Sequence, residues 1–316
     1  MNAITRSLIV AVMLALPGLA LAQTSELYLN DGETTVTYVV QNGQLVRQFN
    51  RSGSVDGPGL VVQDTIKMIG RHSGGVGREY ALDGTPLAGR YPNPEFTDVF
   101  DGATNGEHNW SVAHNHFPDF PVVVGDADWG NLQRSFVPQR RSSGITYDAN
   151  TGTLWLANNV GGTDRIQQYD LEGNLLSEFN ASVQGGYGLA WDPADDTLWL
   201  PGSWGTSDLF QFDKQGNLLQ RLPVKGLSQR ILGAEFQFGG GGCGEKAKLK
   251  VKCPKNGTKV RGKLKKANPN VLVTFRLDGG QAQAAQTNNK GKAKSKWKGQ
   301  EPGGHTVTVC DLEESC

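Results

Sequence analysis

The chain has 316 residues, with 31 Lys and Arg balanced by 31 Asp and Glu, and it contains 42 glycines. Short strand-like runs without a long apolar period of 3.6 residues exclude a mainly helical protein. No segment after residue 22 offers the roughly 20 apolar residues that a spanning helix needs, so a membrane anchor is not expected.

The N-terminus has the pattern of a secretory signal. Arg6 precedes the apolar run LIVAVMLALPGLALA, which closes on Ala20-Leu21-Ala22, an A-x-A cleavage site before Gln23. We therefore predict a signal peptide over residues 1–22 and a bacterial protein that is secreted to the periplasm or beyond.

The segment Gly144–Phe179 reads as four short strands. Three alternating runs (144–148, 153–158 and 165–170) are followed by a turn at 172–174 and a fourth run at 175–179. The next segment repeats this order, with Trp155 and Trp199 in equivalent places. A four-stranded antiparallel meander that recurs after 44 residues predicts the blades of a β-propeller, and the tryptophans are expected to pack between blades.

Applying the repeat to the rest of the chain gives five blades over residues 23–238. One blade spans about 60–91, and a divergent one, with Trp110 in the Trp155 place, lies between it and Gly144. Residues 26–49 match only the last three strands of a blade, and Ile231–Gln237 supplies the missing first strand. Pairing strands from both ends closes a propeller and leaves no open edge. A two-sheet β-sandwich is the alternative, although it does not predict a split repeat.

A glycine linker at residues 239–242 precedes a region of different composition. Residues 243–316 hold 16 of the 31 basic residues but only 6 of the 31 acidic ones, a balance of +10. Six strand-like runs divided by Asn-Gly and Gly-Gly turns predict a small β-sandwich of immunoglobulin type. Through TNNKGKAK and PGGHTVTV it resembles the Ig-like modules of bacterial secreted proteins.

All four cysteines lie in this basic module. In an exported chain they favour two disulfides, and four cysteines allow three pairings. Because Cys253 ends the first predicted strand and Cys310 the last, we expect Cys253–Cys310 and Cys243–Cys316. A zinc site is the alternative, but no C-x-x-C pair is present.

Lysines alternate along two strands of the module, at 246, 248, 250 and 252 and at 292, 294, 296 and 298. One such row is commonly solvation or protection of a sheet edge. Two rows predict a positive surface for an anionic surface or polysaccharide. Nucleic acid is not favoured, because Phe275 and Trp297 are the only aromatic residues available to stack on bases.

The propeller segment GITYDANTGTLWLANNVGGTDRIQQYDLEGNLL resembles the NHL repeat and the related repeats of streptogramin lyases and gluconolactonase-type lactonases. The resemblance covers roughly two thirds of the chain. It implies a propeller, but not one reaction, because a fold does not imply a function. Enzymes of this type use metal-bound carboxylates and histidines at one mouth of the channel, and most matching positions here lack the acidic residue.

Two sets of loops should open on the same mouth: those between second and third strands, and those between blades. Aromatic rings and fixed amides among them predict a saccharide site that needs no cofactor. The expected ligand-binding residues are Arg71, His72, Asn158, Asn159, Tyr187 and Trp204.

The same loops carry a candidate metal site. His114 and His116 have the spacing of a strand-borne pair, and His72 from the adjacent blade would complete three ligands for a divalent ion. Ordinary hydrogen-bonded loop histidines are the alternative. No nucleophile motif or phosphate-binding glycine loop is present.

The sequence thus favours a secreted propeller that binds a saccharide or other extracellular ligand at one mouth, with a basic module for attachment to anionic surfaces. The alternative is a metal-dependent lyase or hydrolase of a lactone, ester or saccharide at the same mouth.

Overall fold

The computed structural model describes residues 25–51, 59–158, 165–183, 187–202, 205–238, 246–254, 258–267, 272–278, 281–288, 290–310 and 312–316. The predicted signal peptide and glycine linker lie outside these ranges. The described residues form 27 β-strands and no α-helix. They accordingly include no apolar helix long enough to cross a membrane.

The first four-stranded sheet combines both ends of the N-terminal part, in the order β20-β1-β2-β3. Its members are β1 (Leu27–Asp31), β2 (Val36–Gln41), β3 (Gln44–Asn50) and β20 (Ile231–Phe236). Strands β1 and β20 are antiparallel, with Leu27 opposite Phe236 and Leu29 opposite Ala234. The sequence predicted that the segment beginning at Ile231 pairs with the strand now labelled β1, and this prediction is confirmed.

Four further sheets are antiparallel meanders in chain order. The second and third contain β4 (Leu60–Val62), β5 (Thr65–Met68), β6 (Val76–Ala81), β7 (Pro86–Pro92), β8 (Val99–Thr104), β9 (His108–Ala113), β10 (Val122–Asp126) and β11 (Gln133–Phe136). The fourth and fifth contain β12 (Gly144–Asp148), β13 (Thr153–Asn158), β14 (Arg165–Tyr169), β15 (Leu175–Asn180), β16 (Ala190–Asp192), β17 (Thr197–Pro201), β18 (Asp208–Phe212) and β19 (Leu218–Pro223). The four strands predicted within 144–179 are confirmed to within one residue.

The turns between third and fourth strands are built by side chains. Asp170 Oδ1 accepts a hydrogen bond from the backbone N–H of Asn174 (2.7 Å), and the Asn174 amide donates to Asp170 Oδ2 (2.7 Å). Asp213 and Asn217 make the same two bonds in the next sheet. The recurring D-x-x-G-N sequence thus fixes each hairpin locally.

Neighbouring sheets pack against each other through shared clusters of buried side chains. Each meander is therefore covered by its neighbours and does not have to be stable alone. Tyr28 of the first sheet packs in one cluster with Leu60 of the second, and Val61 packs with Val99 of the third. A larger cluster joins the third, fourth and fifth sheets. Trp199 of the fifth sheet packs with Leu27 of the first. The fifth sheet thus shares buried side chains with the first.

The buried carboxylate of Asp101 on β8 connects three other sheets. Oδ1 accepts a hydrogen bond from the backbone N–H of Ala234 on β20 (2.8 Å). Oδ2 accepts one from Ile145 on β12 and one from Leu189 beside β16, both at 2.8 Å. Burial raises the pKa of Asp101 well above its usual value, and these N–H groups act against that rise.

The first strands approach one another closely around Asp101. A Cβ at Gly144 would lie 2.8 Å from the backbone carbon of Gly188, and a Cβ at Gly188 would lie 2.8 Å from the Cβ of Ala234. Glycine is required at both places because a side chain would push the strands apart.

The C-terminal module has a three-stranded sheet, β21-β22-β25, and a four-stranded sheet, β24-β23-β26-β27. One core joins both sheets and includes Val260, Phe275, Trp297 and Val309. The strands are β21 (Lys248–Lys252), β22 (Lys259–Lys265), β23 (Leu272–Leu277), β24 (Gln281–Gln286), β25 (Ala293–Lys298), β26 (Thr306–Val309) and β27 (Leu312–Ser315). Six of the seven were predicted, and β27 was not.

The disulfide pairing predicted from the sequence is wrong. Cys253 is bonded to Cys316, with 5.7 Å between their Cα atoms, and not to Cys310. The cause is β27, which turns back along β26, placing Cys316 beside the end of β21. The expected Cys243–Cys316 pair is excluded, because Cys316 is already bonded. Cys310 is also disulfide-bonded, and Cys243 lies outside the described residues.

Candidate functional site

A pocket of about 300 Å³ opens where the two predicted sets of loops meet. Loops between second and third strands contribute Gly32, Arg71 and Asn115, and connections between sheets contribute Arg141, Tyr187 and Arg230. The remaining lining residues are Phe100, His114 and Leu232. We call this the mouth pocket. It combines three guanidinium groups with aromatic and aliphatic surface.

Asp98 and Asn115 link two of these guanidinium groups. Arg71 Nε donates to Asp98 Oδ1 (2.9 Å), and the Asn115 amide donates to Asp98 Oδ2. Arg141 donates to the Asn115 side-chain oxygen and, through Nε, to the backbone oxygen of His114 (2.7 Å). One continuous network therefore holds Arg71 and Arg141 in fixed positions, which is the arrangement that favours binding of an anion.

The surroundings of Asp98 favour its charged form. Burial opposes ionisation of Asp98, but the hydrogen bond from Asn115 and the charge of Arg71 lower the pKa of this carboxyl. The Arg71 guanidinium also lies 4.9 Å from the centre of the Phe100 ring. Arg230, the third guanidinium group of the pocket, forms an ion pair with Glu33.

His114 is buried and neutral. Its Nδ1 lies 2.8 Å from the carbonyl oxygen of Ser142, and because a carbonyl only accepts, Nδ1 carries the hydrogen. Burial lowers the pKa of His114 to about 4. The ring stacks on Phe100 (4.9 Å between centres) and meets Tyr187 edge-on (5.5 Å). His114 is therefore an uncharged part of the pocket wall.

The predicted three-histidine metal site is not formed. His72 Nδ1 lies 3.3 Å from Asp98, whereas the His116 ring packs against Phe96 with 5.2 Å between ring centres. Within the described ranges, no group of three or more His, Cys, Asp or Glu side chains is arranged to hold a metal ion. Each of the three histidines instead has its own local partners.

Of the predicted ligand-binding residues, the mouth pocket includes Arg71 and Tyr187. His72 lies beside the network, through Asp98, but does not line the pocket. Asn158 is buried and donates to the Ser142 hydroxyl (3.0 Å), so it supports the connection that carries Arg141. Asn159 and Trp204 lie outside the described residues.

Asp98, Phe100 and Arg141 are not among the predicted ligand-binding residues, although the sequence places Arg141 in a connection that opens on the mouth. Arg141 is recognisable as part of a connection between repeats, but no spacing distinguishes it from Arg140. Asp98 and Phe100 belong to the most divergent repeat, where FTDVFDG matches the consensus poorly. The signal that could have found them is this departure from the repeat itself.

The C-terminal module has a second candidate surface, a groove of about 780 Å³. Gly262, Gln283 and Ser295 line it together with seven cations. We call these seven residues the lysine face: Lys250, Lys252, Arg261, Lys263, Lys265, Lys294 and Lys296.

The described residues thus define an all-β chain of β-propeller type with a second β module, a basic groove and an arginine-lined pocket. No family model matches the chain, and no curated protein is a significant match.

Solved structures with similar folds include a chain of a nidogen/laminin complex, at 11% identity and a TM-score of 0.49, covering 68% of this chain and 98% of that one. Another is a protein of unknown function from Bacteroides caccae, at 9% identity and a TM-score of 0.42, covering 76% and 82%. A third, functionally unknown protein from Desulfotomaculum acetoxidans DSM 771 has 10% identity and a TM-score of 0.41, covering 77% and 74%. Because these scores are low, the fold class rests on the pairing and packing of the strands.

Proposed function

We propose that this chain is an exported, ligand-binding β-propeller of five blades. Its mouth pocket binds a small extracellular ligand with an anionic group, such as an acidic saccharide. The basic C-terminal module, of immunoglobulin-like type, attaches the protein to an anionic surface. The packing of the fifth sheet against the first and the pairing of β1 with β20 support ring closure.

Closure has a direct test. A chain that lacks residues 231–237 loses the strand that completes the first sheet, and its propeller should no longer melt cooperatively. A chain that ends after Gly240 keeps this strand and should retain the propeller transition. If both truncated chains melted alike, ring closure by β20 would be wrong.

The observation that carries the binding proposal is the pair of guanidinium groups held by Asp98 and Asn115. Arginine side chains fixed before binding lose little entropy when they contact a carboxylate or sulfate. The half-buried ring of Tyr187 offers the apolar face of a sugar a surface in the same pocket.

Isothermal titration with uronate oligosaccharides and matched neutral oligosaccharides tests this proposal. Arg71→Gln should weaken binding of the acidic sugars by about ten-fold or more, the scale of one charged hydrogen bond. The matched control is Arg90→Gln, which removes an exposed arginine from the outer strand β7 and should bind like wild type. Equal affinity of the wild type for neutral and acidic sugars would contradict an anionic ligand.

A metal-dependent lyase or hydrolase receives no support from the described residues. The histidines predicted to hold the ion are separated among different partners, and His114 is committed to the carbonyl of Ser142. The residues present do not fit the metal group that such enzymes use.

A further inference from the structure

The lysine face presents its charges in register across three neighbouring strands. Lys250 lies opposite Lys263, and Lys263 lies opposite Lys294. The next row places Arg261 between Lys252 and Lys296. Neighbouring strands are about 4.8 Å apart and alternate residues along a strand about 6.7 Å, so these six cations form a two-row grid.

Such a grid is unfavourable in the free protein. Like charges directly opposite one another destabilise a sheet, and here each central cation has a like charge on both sides. The pKa of Lys265 is lowered, first by Lys263 and then by Lys250. No lining residue is acidic, and none of the ion pairs found in the described part of the chain involves the lysine face. A bound polyanion would remove this repulsion.

The surroundings of the lysine face distinguish between classes of polyanion. Both aromatic side chains of the module, Phe275 and Trp297, are buried in its core and cannot stack on nucleic-acid bases. Among the side chains of the module whose burial the structure describes, none is large, apolar and exposed so as to insert into a lipid surface. Charges that line a groove, without such anchors, fit a linear chain that carries repeated charges.

We propose that the lysine face binds a linear acidic polysaccharide, whose carboxylate or sulfate groups lie along the two rows of the grid. This inference rests on the proposed attachment role of the module and names its partner. The groove is separate from the mouth pocket in its residues, so the protein would hold a polymer and a small ligand independently.

The test uses the full mature protein and four probes: polygalacturonate, heparin, vesicles rich in phosphatidylglycerol, and single-stranded DNA, with dextran as the neutral polymer. One variant removes a row of the grid, Lys250→Gln/Lys263→Gln/Lys294→Gln. The charge-matched control, Lys225→Gln/Lys246→Gln/Lys290→Gln, removes three exposed lysines that do not line the groove.

We expect the wild type to bind polygalacturonate or heparin, and the row variant to bind about ten-fold or more weakly. A plot of log affinity against log salt concentration should also be less steep for the row variant, because about two to three fewer counterions are released on binding. The control should stay within about two-fold of wild type. Melting checks the fold, and the row variant should melt no lower than wild type because its repulsion is relieved.

Equal weakening in both triple variants would overturn the grid as the binding site. Binding of vesicles alone, or tightest binding of DNA, would overturn the polysaccharide while leaving attachment to an anionic partner intact. Binding of none of the four probes would overturn both this inference and the proposed attachment role.

Discussion

Removing the Asp101 carboxylate should destabilise the propeller more than almost any other single change. In Asp101→Ala, three buried N–H groups on three different sheets lose their acceptor, and each unsatisfied donor costs about 1–3 kcal/mol. The sum is about 3–9 kcal/mol, against a total stability of about 5–15 kcal/mol for a typical domain. Relief from burying a carboxylate offsets part of this loss.

Asp101→Asn removes the negative charge but keeps the shape of the side chain. Its oxygen can still accept hydrogen bonds from Ile145 and Leu189, but its NH₂ group faces the N–H of Ala234, and two donors cannot bond. The free energy of unfolding should therefore fall by about 2–4 kcal/mol. For a domain of this size, 1 kcal/mol corresponds to about 2–4 °C in melting temperature.

Differential scanning calorimetry should show the propeller transition falling by about 4–16 °C in Asp101→Asn, and further in Asp101→Ala. The exposed control Glu172→Gln, which removes one negative charge, should melt like wild type. An Asp101→Ala protein that melted within about 2 °C of wild type would refute this prediction. Such a result would mean that leaving the three backbone N–H groups without this acceptor does not lower the stability of the fold.

Other measurements test independent features. Burial is the main cause, and the charge of Asp195 the second, that raises the pKa of Asp192 to about 7. Between about pH 4 and 7 the Asp192 carboxyl therefore stays protonated in the folded state but is ionised in the unfolded state. The free energy of unfolding consequently falls as pH rises through this range. This loss of stability is on the order of 4 kcal/mol at most, and it should be absent in Asp192→Asn. If the melting temperature of Asp192→Asn depended on pH as steeply as that of wild type, the prediction would be contradicted. Reductant should lower only the melting transition of the C-terminal module, since the propeller contains no cysteine; a shift of every transition together would show that the two parts unfold as one unit.

Local patterns in the sequence predicted the strands of the propeller because each meander is specified by its own alternation and turn residues. The turn from Asp170 to Asn174 is one example, since its hydrogen bonds are all made within five residues. The partner of β1 was also predictable, because a repeat that lacks one strand at one end and has a spare strand at the other leaves a single consistent pairing.

The parts that the sequence did not predict depend on long-range contacts. Asp101 accepts hydrogen bonds from Ile145, Leu189 and Ala234, and no residue near Asp101 in sequence indicates this role. The disulfide was misassigned because the strand after Cys310 is short and polar, which hides the hairpin that returns Cys316 to Cys253. Likewise, His114 has the spacing of a metal ligand, but burial and Ser142 decide its role.

The pairing of β1 with β20 also sets when the propeller can be completed. Asp31 pairs with Ile231, so one edge of the first sheet has no neighbour until almost all of the propeller has been synthesised. Contacts this distant in sequence slow folding, and they leave a strand edge exposed to other chains in the meantime. If the chain is exported as proposed, the same delay keeps it unfolded while it is still being threaded across the membrane.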